Sequence, residues 1–194
     1  VGSLGALGGC SFYPTKNLGG LGEGGGLVPT AKLWATFAKS LARHGSFDNK
    51  YAHEIVGMNS RLDTVQAAAL NIKLRYLDKW NTMRRKCAEV YNKLLMNSIG
   101  KPVELEDFYH VYHQYVITLK NRDLVKKKLE EEGIQSDVHY PIATNQQRAF
   151  AKYTFHKMPV AEKLAETCLS LPMHPYLRLD EIGRVCKVVN EFAK

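Results

Sequence analysis

Cysteine is scarce and scattered. The 194 residues hold four, Cys10, Cys87, Cys168 and Cys186, with no two closer than 18 positions. That spacing excludes a CxxC pair, a zinc-like doublet and a dense disulfide framework, and it predicts reduced, mostly buried thiols. Long apolar runs are missing too, since none approaches the roughly 20 residues of a bilayer-spanning helix. The first residues lack the basic and apolar regions of a signal peptide, so a cytoplasmic chain with no membrane partner is expected. There is no GxxxxGK[ST] phosphate loop and no GxGxxG after a convincing strand. The formal charge of +8 is spread along the chain, and its densest run, Lys126 to Lys128, is answered by Glu130 to Glu132. Lysine and glutamate four apart make a solvated helix face, and with no RNA-binding sheet motif a nucleic-acid partner is not expected. His110 and His113 spell HxxH, but on a strand that odd spacing sends them to opposite faces, so no metal site is expected.

Charge is also locally absent. Among residues 1–31 the only Lys, Arg, Asp or Glu side chains are Lys16 and Glu23, and ten of the fifteen glycines fall within the first 26 positions. This describes tightly turning backbone with one isolated ammonium. The overall proportions, 45% hydrophobic and 24% charged, are those of a globular protein and exclude disorder and fibrous repeats.

Downstream, the spacing predicts a short helix over 33–43 and one long or broken helix over 62–95. In the latter, Val65, Ala69 and Ile72, then Trp80, Met83, Cys87, Tyr91 and Leu94, form a stripe expected to be buried. Gly100-Lys101-Pro102 ends that pattern. Alternation over 111–119 predicts a strand, Arg122 to Glu132 a helix closed by Gly133, and 159–169 and 180–192 two further helices, the first stopped by Pro172. The order places a small mixed α/β domain after about residue 98. The first region, with a strand and turn followed by two helices, has too few strands to close a core, so it is expected to lean on a partner or on a longer chain.

An isolated lysine amid apolar and glycine neighbours loses solvation on burial, which lowers its pKa and frees the amine as a nucleophile. Lys16 fits that environment; equally, it could lay its stem on Phe12 and Tyr13 and keep its head in water.

The order of residues around it carries more. SFYPTKNLGGLGEGGGLV at 11–28 resembles the lysine motif of the DegT/DnrJ/EryC1/StrS family, pyridoxal-phosphate (PLP) sugar aminotransferases of fold type I. The resemblance continues through Arg43-His44-Gly45, GMNSRLDTVQAA at 57–68, HVYHQYVI at 110–117, HYPI at 139–142 and LSLPMHP at 169–175. It covers only the C-terminal half of a typical member. It implies an α/β fold in which residues 1–97 are the C-terminal part of the PLP-binding large domain with a long connecting helix, and 98–194 are a small C-terminal α/β domain.

The resemblance also implies roles. Lys16 matches the lysine that forms a Schiff base with PLP and moves protons, Ser11 a hydroxyl on the cofactor phosphate, and Asn59 a residue reaching the phosphate of the neighbouring subunit's PLP. By position alone Asn59 and Ser60 both read as caps of the following helix. Arg61 and His139 match substrate-binding positions, although an arginine at a helix start also suits a pair with Asp63, and His139 also suits a plain loop histidine. Where many members have Pro-x-His-x-Gln, this chain carries Asn145 ahead of Gln147, which puts an imidazole there in question. The implied activity is transfer of an amino group, from L-glutamate in most of the family, to a keto carbon of a nucleotide-linked sugar. The Asn-Ser-Arg-Leu-Asp spelling favours C3 over C4. A homodimer with shared sites is implied. The upstream half of the site is missing from these 194 residues, so the alternative is a truncated, non-catalytic relative that dimerises or binds a sugar nucleotide.

Overall fold

The computed structural model describes residues 2–153 and 156–193. The chain forms two compact units, Val1–Asp78 and Lys79–Lys194.

In the first unit, β1 (Leu7–Ser11) pairs antiparallel with β2 (Gly25–Pro29), in a register that sets Leu7 opposite Pro29 and Ser11 opposite Gly25. The connection between them is a tight glycine turn. Gly20 N–H donates to the Phe12 carbonyl at 2.8 Å, and a Cβ on Gly19 would sit 2.3 Å from the Pro14 carbonyl oxygen, so only glycine fits there. Helix α1 (Lys32–Leu41) follows directly, and helix α2 (Thr64–Leu74) closes the unit. Between them the backbone of 57–60 is tied to the end of α1. His44 N–H donates to the Met58 carbonyl, Met58 N–H to Leu41 and Ser60 N–H to Ala42, with Arg43 and Asn59 forming an isolated antiparallel bridge.

The second unit is built on α3 (Leu77–Leu94), which begins two residues ahead of the division. The sequence pattern across 62–95 is therefore two helices, broken at Arg75–Tyr76. Strand β3 (Tyr115–Thr118) pairs antiparallel with β4 (Cys168–Leu171), and helices α4 (Arg122–Glu131), α5 (Pro159–Thr167) and α6 (Leu179–Phe192) complete the layer. Gly133, at φ +68°, ends α4 as expected.

Three expectations are corrected. The helix from Pro159 stops at Thr167, because the fully buried run Cys168–Leu171 is taken up by the sheet. Strand β3 starts at Tyr115, so His110 and His113 precede it rather than alternating along it. The predicted stripe is fully buried in α3 only at Cys87 and Tyr91; Leu94 is 46% exposed, and Val65 and Ile72 on α2 remain 63% and 60% exposed.

The one contiguous hydrophobic core among the described residues lies wholly in the second unit. It runs from Cys87 to Ala193, with Tyr115, Ile117, Val125, Leu129, Leu169, Ile182 and Val189 fully enclosed and Tyr91 stacked on Tyr115 at 4.7 Å. Arg84 is buried beside it. Its Nη1 donates to the carbonyls of Tyr112, His113 and Met173 at 3.0–3.3 Å, and desolvation holds its pKa below the usual arginine value. All four cysteines are free thiols; three are buried and Cys10 is half-buried.

Candidate active site

Within the first unit, a cavity of about 1480 Å³ opens beside the β1–β2 hairpin. Its walls come from Gly9–Ser11, from Glu23–Leu27, from Ala35 and Ala38 of α1 and Ala42 just past its end, and from residues 59–64. Small side chains on α1 leave room there, and an added Cβ on Gly9 would meet no protein atom.

Three of the sequence-predicted residues line this cavity together: Ser11, Asn59 and Arg61. Ser11 sits at the end of β1, and its Oγ accepts the Tyr13 N–H at 3.2 Å, which leaves the hydroxyl hydrogen free to donate outward. Asn59 is held by its backbone bridge to Arg43, and its Oδ1 accepts the Arg61 Nε–H at 2.8 Å. Neither Asn59 nor Ser60 caps a helix, since the N-cap position of α2 is Asp63, and Arg61 bonds Asn59 rather than Asp63. The cavity therefore presents hydroxyl, amide and guanidinium donors, a set suited to an anion of the phosphate type. Lys39 adds a cation at the wall, while Glu23 and Asp63 place two carboxylates along it.

Lys16 lies outside the cavity lining. It sits half-buried on the turn five residues beyond Ser11, where its backbone N–H donates to the Tyr13 carbonyl at 2.9 Å. His139 belongs to the second unit. Its ring is gripped from both sides, with Nδ1 2.9 Å from the buried Ser170 Oγ and Nε2 3.7 Å from the Asp137 carboxylate. Backbone hydrogen bonds in both directions between Asp137 and Ser170 fix that segment to the edge of β4.

A family model described as the DegT/DnrJ/EryC1/StrS aminotransferase family matches residues 1–190. The chain belongs to this family. Among curated relatives, it is 42% identical to a UDP-N-acetyl-3-dehydro-alpha-D-glucosamine 3-aminotransferase of Acidithiobacillus ferrooxidans, across 97% of this chain and 51% of the relative. It is 41% identical to a pleiotropic regulatory protein of Geobacillus stearothermophilus, across 99% of this chain and 53% of that protein. Among solved structures, a family aminotransferase from Brucella abortus superposes with a TM-score of 0.94 at 36% identity, over 99% of this chain and 52% of that one. NtdA of Bacillus subtilis, solved with its cofactor PMP bound, gives 0.88 at 29% identity, over 97% and 46%. The chain thus spans about half the length of the relatives it matches and carries the corresponding part of a fold type I, mixed α/β architecture.

In this DegT/DnrJ/EryC1/StrS member, two further residues secure the lysine turn. Gln66 on α2 accepts the Leu21 and Gly22 N–H groups at 2.7 and 3.1 Å through one oxygen, and Lys73 donates to the Gly19 carbonyl at 2.7 Å. Sequence reasoning missed both. Gln66 stood inside the GMNSRLDTVQAA motif, which was the available signal, whereas nothing local marks Lys73.

Asn145 lies against the start of α5. Its Nδ2 donates to Glu162 Oε1 at 2.7 Å, and the same oxygen accepts the Met158 N–H at 2.9 Å, so Asn145 and Glu162 clamp the start of α5. Those two bonds, the Met158 N–H foremost, hold the Glu162 carboxyl below the usual glutamate range. Among the described residues no group of three potential metal ligands converges, and no helix is long and apolar enough to cross a membrane.

Proposed function

We propose that the protein represented by this chain is a PLP-dependent aminotransferase, cytoplasmic and homodimeric with shared sites. It moves an amino group from an amino acid, L-glutamate in the first instance, to the C3 keto group of a nucleotide-linked sugar. The observation that carries the reading is Ser11 at the end of the strand that leads into the Lys16 turn, on a cavity whose wall also carries Asn59 and Arg61, which in a dimer with shared sites would face the partner's cofactor. The name of the Acidithiobacillus relative, a 3-aminotransferase acting on a UDP sugar, supports C3.

The residues present fit PLP. Ser11 Oγ–H and the Asn59 amide are neutral donors of the kind a phosphate monoester accepts from. The small-residue wall of α1 and the bare Gly9 leave space beside them for a flat ring. When bound, PLP supplies an electron sink at the carbon that exchanges nitrogen. Lys16 Nζ is assigned to hold the cofactor covalently and, once released by the incoming amine, to move a proton at that carbon, so that one amine acts first as nucleophile and then as base. The turn bonds from Gln66 and Lys73 fix the backbone that aims it. Arg61 and His139 are assigned to the sugar nucleotide, His139 as an imidazole whose ring plane is set by Ser170. The functional division at 97/98, between cofactor domain and small domain, belongs to the same proposal.

Borohydride reduction of the protein incubated with PLP, followed by peptide mass mapping, tests this reading. A phosphopyridoxyl adduct confined to Lys16 is expected. An adduct elsewhere, or none even with the upstream half restored, would remove the enzyme reading. It would leave the non-catalytic alternative, a relative that dimerises or binds a sugar nucleotide.

A further inference from the structure

Arg61 is two residues from Asn59, and its only hydrogen bond among the described residues runs from Nε to Asn59 Oδ1 at 2.8 Å. The direction of that bond has a chemical consequence. An arginine Nε carries a hydrogen and no lone pair, so its partner must be the carbonyl end of the asparagine amide. The Asn59 amide is thereby fixed in one of its two flips, with Nδ2 turned away from Arg61 and both its hydrogens unpartnered among the described residues. Asn59 lines the cavity and its backbone is anchored through Arg43, so the freedom that remains is in χ1 and the amide flip, both of which the Arg61 bond restricts.

We propose that Arg61 is a positioning residue, whose Nε–H holds the Asn59 amide so that Nδ2 donates to the phosphate of the cofactor. This rests on the cofactor reading above and adds a role distinct from the substrate contact implied by resemblance. Without Arg61 the side chain samples three χ1 wells and two flips, so only about one in six of its orientations presents Nδ2 to the anion. The geometry is the same whether Asn59 faces the cofactor of its own subunit or of a partner.

Three replacements of this exposed side chain separate the bond from the charge. Glutamine carries a nitrogen at the same number of bonds from the backbone as arginine Nε, so Arg61→Gln keeps the donor and loses the charge. Arg61→Lys keeps the charge but sets a methylene at that place. Arg61→Met keeps neither. The measurement is the ratio of dissociation constants of the 194-residue chain for PLP and for pyridoxal, which lacks the phosphate. The wild-type chain and Arg61→Gln are expected to share a strong preference for PLP, while Arg61→Lys and Arg61→Met lose about sixfold of it. Adding Arg61→Met to Asn59→Ala is expected to change the ratio by less than about twofold, because a group acting through Asn59 has nothing left to act on. Retention by Arg61→Lys with loss by Arg61→Gln would overturn the proposal in favour of direct charge attraction, leaving the cofactor site intact. Loss by all three, or by none, would overturn it as well. A wild-type chain that binds both compounds equally would overturn the phosphate site and this inference together.

Discussion

The two units of this chain, Val1–Asp78 and Lys79–Lys194, solve different problems. Residues 79–194 enclose a continuous core of aromatic and aliphatic side chains, while residues 2–78 bury little beyond Leu70, Ser40 and a few glycines. Trp34, Phe37, Val65 and Ile72 of the first unit all stay at least 40% exposed, on helices whose patterns would ordinarily cover them. The cavity with the phosphate-type donors lies in that first unit. Backbone hydrogen bonds and a few side-chain ties, rather than hydrophobic burial, hold its shape. The lesson is a division of labour: the segment that carries the candidate chemistry depends on specific polar geometry, and the segment with the core supplies most of the chain's own stability.

Core truncation is the strongest way to test that contrast. Ile117→Ala, at a fully buried site on β3, is expected to destabilise the second unit by about 2–5 kcal/mol, whereas Val65→Ala on α2 should stay within about 0.5 kcal/mol. Urea unfolding of both variants checks this, and equal losses would erase the distinction. Next is Arg84→Met, which strands three carbonyls that now share one guanidinium. A loss of about 3 kcal/mol is expected, with raised amide exchange around 112–113 and 173. A smaller effect is expected in the polar unit. Gln66→Ala removes the acceptor for two N–H groups at 21–22, costing about 1 kcal/mol locally and speeding exchange at those two amides, with no change in β3 or β4.

The smallest effect concerns pH. Glu162 has a folded-state pKa below its ordinary value of about 4.3. The clamp at the start of α5 is therefore fully present above that ordinary value and is lost as pH falls through the lower folded one. Protection of the Met158 amide, its exchange rate referred to the intrinsic rate at each pH from about 6 to 3, should fall in the wild type over that window and be low throughout in Glu162→Ala. A flat wild-type profile would show that the Met158 and Asn145 bonds do not depend on the charge.

Much of the second unit was legible because its helices advertise themselves. The amphipathic spacing of α6 and the glycine after α4 fixed both with little error. The α5–β4 junction was not legible, since a run such as Cys168–Leu171 is equally apolar as helix or strand, and only pairing with β3 decides it. In the first unit the order of motifs pointed to Ser11, Asn59 and Arg61, but not to the bond between the last two, which depends on rotamers. The tie from Lys73 to Gly19 spans 54 positions and leaves no local trace.

That tie also constrains what this segment can become. Gly19 is fixed at one end by Lys73 and has no room for a side chain against Pro14, and Ser11 is fixed at the other by its place opposite Gly25 in the hairpin. The seven residues between them form a chain of set length with Lys16 at a set point along it. Substitutions at exposed positions such as Thr15 leave that ruler unchanged. A single insertion or deletion would slide the amine along it, so natural variation here is expected to proceed by exchange of residues and not by change of loop length.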